Sequence, residues 1–254
     1  MVTYKIIYDI TQDAYNWYNS LNNFGGIKKL KDTQDIEVAE KIMGLNFSEA
    51  KKILIPYLEE RNARIEMTPE RFRQIMSDEL DKKFELAIRR LEEVTEHPLA
   101  IKDCVKNRAK EIHKISPEAV SPSEDLLFLV TTFPAMIVYY EEGVIFTYAK
   151  IDNELWGMPL DGILHELMHF QTNYYYRENP DSVVSNLSRG EYYILKESLT
   201  ALLDESWKPI MTLPDANYPE FQDLRNKLHE HYSKYHDFDK LMEYGAKEVK
   251  NYKM

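Results

Sequence analysis

Cysteine is almost missing from this chain: Cys104 stands alone among 254 residues, so no internal disulfide can form. That fits a reducing compartment, and the cytoplasm is the expected location. Long apolar runs are missing as well. No stretch approaches the ~20 apolar residues that cross a bilayer. The opening MVTYKIIYDI lacks the basic start, long apolar centre and small-residue cleavage site of a secretory signal. Neither membrane insertion nor classical secretion is expected. Positive charge is in deficit, with 32 Lys and Arg against 43 Asp and Glu and a net charge of −11. That balance excludes a broad nucleic-acid or anionic-membrane surface. Basic pairs such as Lys28-Lys29 and Arg89-Arg90 read as solvated faces.

What the chain does have is 44% hydrophobic and 30% charged residues, enough to bury a real core in one large domain or two small lobes. Residues 3 to 9 alternate like a short strand, and Asn22-Asn23 with Gly25-Gly26 mark a loop. Helices are expected from Ser48 to about residue 63, from Thr68-Pro69-Glu70 to about residue 95, and near 99 to 114. The turn-rich segment from Ile115 to Asp125 reads as a connection between two parts. After it, Leu126 to Thr132, Ile137 to Tyr140 and Val144 to Ile151 are apolar, β-branched or aromatic runs, with Glu141-Glu142-Gly143 as a tight turn, and are expected to be strands. Ser188 with Glu191 forms a capping box, and the apolar pattern behind it runs from Tyr192 to about Trp207. Pro209, Pro214 and Pro219 punctuate a loop before two last helices, near 219 to 235 and 237 to 250.

The chemistry lies in His165-Glu166-Leu167-Met168-His169. Residues four apart on an α-helix stand one above the other, so two imidazoles can bind one tetrahedral Zn²⁺. Glu166, between them, can take the proton of a water that the cation acidifies to a pKa of ~7. That is amide-hydrolysis chemistry. Ile163, Leu164, Leu167, Met168 and Phe170 surround the polar triplet, so unpartnered His and Glu there would be costly. Asp161 is the expected N-cap of this helix.

A catalytic zinc needs a third protein ligand and an open position. The metzincin continuation xxGxxH is absent, since Phe170 is followed by Gln171-Thr172-Asn173-Tyr174-Tyr175-Tyr176. The best carboxylate is Glu197, 28 positions after His169, in the middle of the apolar run Ile194 to Leu203. There a Glu is expensive unless paired, by zinc or by a cation such as Lys196 or Arg225. Asp204 and Glu178 compete for the ligand role, and Asp204, two turns beyond Glu197, could instead orient a ligand histidine. For oxyanion stabilisation the candidates are His229, Tyr232 and Arg225, with Tyr192 and Tyr193 ahead of Glu197.

This arrangement over about residues 126 to 207, His165-Glu166-x-x-His169 followed by a helix-borne Glu197, resembles the gluzincins, the thermolysin-like clan of zinc peptidases. The resemblance implies that His165, His169 and Glu197 hold one Zn²⁺ per chain, that Glu166 is the base, and that a peptide or protein is the substrate. It also suggests Thr131-Thr132-Phe133-Pro134 as part of the sheet edge that pairs with extended substrate. Two features depart from that clan. Ala201 stands where the thermolysin arrangement has an acidic residue, and the Gly-x-Met-Glu-Asn aminopeptidase signature is absent.

The expected architecture is therefore α+β: a mostly helical, zincin-like metallopeptidase with a small antiparallel or mixed sheet packed on the HExxH helix. Residues 1–115 are expected to form a helical N-terminal region, either a cover over a cleft or a scaffold remote from the zinc, and residues 116–254 the zincin-like catalytic region. The rival reading is a non-catalytic, zinc-stabilised binding protein. It would close the metal's coordination with a fourth ligand from Asp204, His229 or a Tyr.

Overall fold

The computed structural model describes residues 1–23, 25–64, 68–101, 104–111, 123–134, 137–148, 159–215 and 218–252. The fold is α+β, mostly helical with a small mixed sheet. Two compact units interleave along the chain: Met1–Asp81 with Ile101–Leu155, and Lys82–Ala100 with Trp156–Met254. The expected division at residue 115 is thus not the one the fold makes. The connection expected around residue 115 lies largely outside the described residues.

The first unit carries the sheet, with β1 (Tyr4–Ile7), β2 (Leu126–Thr131), β3 (Ile137–Tyr139) and β4 (Val144–Tyr148) in the order β1-β2-β4-β3. Pairing is parallel between β1 and β2, with Tyr4 opposite Leu126, and between β2 and β4, with Leu127 opposite Val144. Only β3 runs antiparallel, Ile137 opposite Phe146, across a turn in which Gly143 takes φ 62°. The central strand β2 reads Leu-Leu-Phe-Leu-Val-Thr and every residue in it is buried. A continuous apolar run is what a strand covered on both faces needs. Being central, β2 cannot offer a free edge, so the expected substrate-pairing role of Thr131 to Pro134 is not supported. Thr131 and Thr132 are instead buried against Asp13, which accepts from Thr131 Oγ1 at 2.6 Å, Thr132 N at 3.0 Å and Thr132 Oγ1 at 2.7 Å.

Asp13 sits on α1 (Ile10–Asn23), a helix the sequence pattern does not announce. Its buried face mixes Ala14, Trp17 and Leu21 with Gln12, Asp13, Asn16 and Ser20, so it shows no clean apolar stripe. This helix packs on the sheet within its unit. Around it α2 (Thr33–Ile42) and α3 (Phe47–Arg64) bury Ile42, Leu54, Leu58 and Trp17 with Phe133. A buried Arg61–Asp35 pair at 2.9 Å ties α3 to α2. The unit also takes the start of α4 (Pro69–Thr95) and the short α5 (Cys104–Glu111).

The second unit is helical. The end of α4 joins α6 (Pro159–Thr172), α7 (Arg189–Leu199), α8 (Gln222–Tyr235) and α9 (Phe238–Asn251). Ser188 and Glu191 form the expected capping box at the start of α7. Helices α7 and α9 approach closely at Gly245, where a Cβ would lie 2.6 Å from Leu195 Cδ1. Gln171, at the end of α6, accepts from Ala100 N at 2.8 Å and donates to Thr95 Oγ1 at 3.0 Å, fixing α6 to the segment behind α4. Among the described residues no helix is long and apolar enough to cross a membrane.

Candidate metal centre

The site is built in the second unit from α6, α7 and the loop before α8. Pro159 is the first residue of α6, a position where its missing N–H costs nothing. The expected cap, Asp161, lies inside the helix instead and accepts from Thr212 N at 2.9 Å and Leu213 N at 3.2 Å, pinning the loop to α6. Leu160, Ile163, Leu164, Leu167, Met168 and Phe170 are all buried, so the helix is anchored around most of its circumference. One turn separates the two histidines, and their Nε2 atoms lie 3.0 Å apart.

Glu197 reaches the same point from α7. Its Oε2 lies 3.2 Å from His169 Nε2 and 3.3 Å from His165 Nε2. The three atoms make a nearly equilateral triangle. Four ligands bound tetrahedrally to zinc at about 2.0–2.1 Å stand about 3.3–3.4 Å from one another, close to these separations. Among the described residues this is the group of metal-binding type. The chemistry of the donors agrees with the geometry. Among the described residues, Nδ1 of His169 is buried with no hydrogen-bond partner, and that ring's polar contacts run through Nε2. Two imidazole nitrogens facing each other beside a buried carboxylate need a proton or a cation among them. Where no cation is bound, a proton fills that place.

That proton resides on His165. Burial alone would lower its pKa, but hydrogen bonds to Asp215 and Glu197 outweigh it and carry the value up to about 10. His169 goes the other way: burial, reinforced by the Lys196 charge, holds it down at about 3. Burial works against the Glu197 carboxylate, yet its bonds to His165 and His169 keep it well below the usual carboxylate range. Glu166, half-buried on the same helix, is raised by burial against the opposing pull of His165 and Lys196. A carboxyl with a raised pKa is a better proton acceptor, as general-base work demands.

Two residues outside the sequence expectations complete the site. Asp215 Oδ2 lies 2.5 Å from His165 Nδ1, with both side chains largely buried. It fixes the ring so that Nε2 faces the ligand triangle, the usual second interaction of a metal-binding histidine. Tyr218 lies with its ring 6.3 Å from that of His165, at 25° between planes, in a left-handed conformation with φ 61°. Burial, with the charge of Glu197, raises its phenol, so it stays a hydrogen-bond donor. A non-glycine residue in that region is strained and worth explaining at a candidate site.

The remaining sequence candidates have other partners. Asp204 pairs with His229 Nε2 at 2.6 Å and caps the turn at Glu205–Trp207, so it orients no ligand histidine. Tyr232 donates to Val94 O at 2.9 Å. Arg225 is buried behind the His165–His169–Glu197 group, donating to Glu197 O at 3.0 Å, Thr200 Oγ1 at 2.8 Å and Asp215 O at 2.5 Å. It therefore holds the backbones of two site carboxylates together. Its bond to the Glu197 carbonyl, which also accepts from the Thr200 hydroxyl at 2.8 Å, lies where α7 gives way after Leu199 to a 3-10 turn over Thr200–Leu202, about two turns before the apolar pattern stops. That early end turns Asp204 off the Glu197 face. Asp215 sits in an aperiodic loop, where only its place after Pro214 marks it.

Comparison with protein families, curated proteins and solved structures returns no match to this chain.

Proposed function

We propose that this protein is a zinc-dependent peptidase whose metal is held by His165, His169 and Glu197. The observation that carries the reading is the meeting of a buried carboxylate oxygen from α7 with two imidazole nitrogens from α6 within 3.0–3.3 Å, on the helix that also presents Glu166. When bound, zinc supplies a Lewis acid that polarises a carbonyl and acidifies water. The chain's own residues do the rest. Glu166 takes a proton from the attacking water and passes it to the leaving nitrogen. Asp215 keeps His165 oriented throughout, and Arg225 keeps Asp215 and Glu197 in register. Tyr218, held as a neutral phenol, donates toward the oxygen on which negative charge develops.

The rival, a zinc-stabilised binding module, needs a fourth protein ligand. Asp204 and His229, two of its three proposed sources, are occupied with each other. The similarity of the motif to the gluzincins supports a zincin-type catalytic arrangement. The test is direct. The purified chain is expected to hold one zinc per molecule and to cleave a quenched peptide, and Glu166→Gln is expected to keep the zinc while losing turnover. Turnover retained in Glu166→Gln removes the assigned mechanism. Full zinc stoichiometry in Glu197→Ala removes the ligand set.

A further inference from the structure

We propose that Lys196 sets the charge of the metal centre: its ammonium occupies one oxygen of Glu197, restricts that residue to a single ligating atom, and loosens the protein's hold on the cation. This rests on the zinc reading above and adds a regulator of the same site. Glu197 is divided between two partners. Oε2 faces the histidines, while Oε1 lies 2.7 Å from Lys196 Nζ. The pair is largely sealed from water, with 4% of the Glu197 side chain and 19% of the Lys196 side chain exposed.

Adjacent residues on a helix point about 100° apart and do not normally face each other. Lys196 must therefore fold its stem back to reach Glu197, and its Nζ lies 5.7 Å from the centroid of the Tyr193 ring, one turn earlier. This is a built arrangement rather than the default pairing of a helix surface.

The consequence follows from electrostatics. A carboxylate that shares its charge with an ammonium donates less to a metal, and the ammonium repels a dication on the other side of the same group. Both effects weaken zinc binding and make the bound zinc a stronger Lewis acid. An outer-shell partner that supports a ligand typically contributes 10- to 100-fold in metal affinity. Lys196, with the opposite charge, should subtract a comparable factor.

The test uses the full chain with zinc and cobalt as probes. Zinc affinity by chelator competition is expected to tighten about tenfold in Lys196→Met and Lys196→Gln, and to return to the wild-type value in Lys196→Arg. The pH midpoint of the cobalt-loaded protein's visible spectrum is expected to rise by about one unit in the two neutral variants, a shift that a packing role would not produce. Gln keeps a hydrogen-bond donor and serves if Met fails to fold. Unchanged or weaker zinc binding in the neutral variants, while wild type binds zinc, overturns this proposal alone. A wild-type chain that binds no zinc overturns the metal reading and this one with it.

Discussion

Removing the carboxylate behind His165 should change both how tightly zinc binds and how many protons leave when it does. In the metal-free protein His165 stands at about 10, His169 at about 3, and Glu197 well below the carboxylate range. At pH 6 His165 therefore carries the one proton that a metal must displace. That pH is also below the ~7 at which a water on zinc ionises. Zinc binding to the wild type should release about one proton, measured by calorimetry in buffers of different ionisation enthalpy.

Asp215→Ala removes a buried, charge-assisted contact of 2.5 Å. Such a bond is worth about 1.5–3 kcal/mol. Measured at high pH, where no proton competes, zinc affinity should fall by roughly 10- to 150-fold. Asp215→Asn, which can still accept from Nδ1–H as a neutral group, should lose only about tenfold. At pH 6 both losses should shrink, because the same carboxylate also stabilises the competing proton. Proton release in Asp215→Ala should drop below the wild-type value. A wild type that releases no proton at pH 6, or an Asp215→Ala variant with unchanged affinity at high pH, would refute the reasoning.

The contribution of the two site histidines to the stability of the metal-free protein should peak near pH 6.5. His165, raised in the fold, contributes fully below its ordinary pKa of about 6.5, and that contribution is lost as pH rises toward 10. His169, lowered in the fold, costs stability as pH falls from about 6.5 toward 3, because the unfolded chain binds the proton that the fold refuses. Urea midpoints with a chelator present should trace this peak, and a flat profile would contradict it. Arg225→Met leaves Asp215 and the Glu197 carbonyl without their buried partner, at a cost of about 3 kcal/mol or more. The thermal midpoint should then fall by about 6–12 °C, read by calorimetry. Tyr218→Phe should retain zinc while kcat/KM for a peptide falls about 100-fold, and wild-type turnover would return Tyr218 to a packing role.

Much of the local structure is legible in the sequence because its signals are local. The Ser188–Glu191 box, the turn at Glu141-Glu142-Gly143 and the run of β2 each depend on residues within a few positions of one another. Helix α1 was hidden because its buried face is half polar, and two of those polar residues, Asp13 and Asn16, bond Thr131 and Thr132, more than 100 residues away. The parallel pairing of β1 with β2 was hidden for the same reason of distance.

The candidate centre divides along the same line. His165 and His169 follow from the helix repeat, and Glu197 from the cost of a carboxylate on an apolar helix, so the sequence alone names all three potential ligands and the carboxyl of Glu166 beside them. Asp215, Tyr218 and the ion pair of Lys196 belong to tertiary structure. A loop has no period to reveal which side chain points inward, and whether a lysine reaches its neighbour depends on what surrounds both. The end of α7 is the clearest case. Its sequence would carry the helix onward to Asp204, but Arg225, arriving from α8, takes the Glu197 carbonyl, and only the fold brings that guanidinium to it.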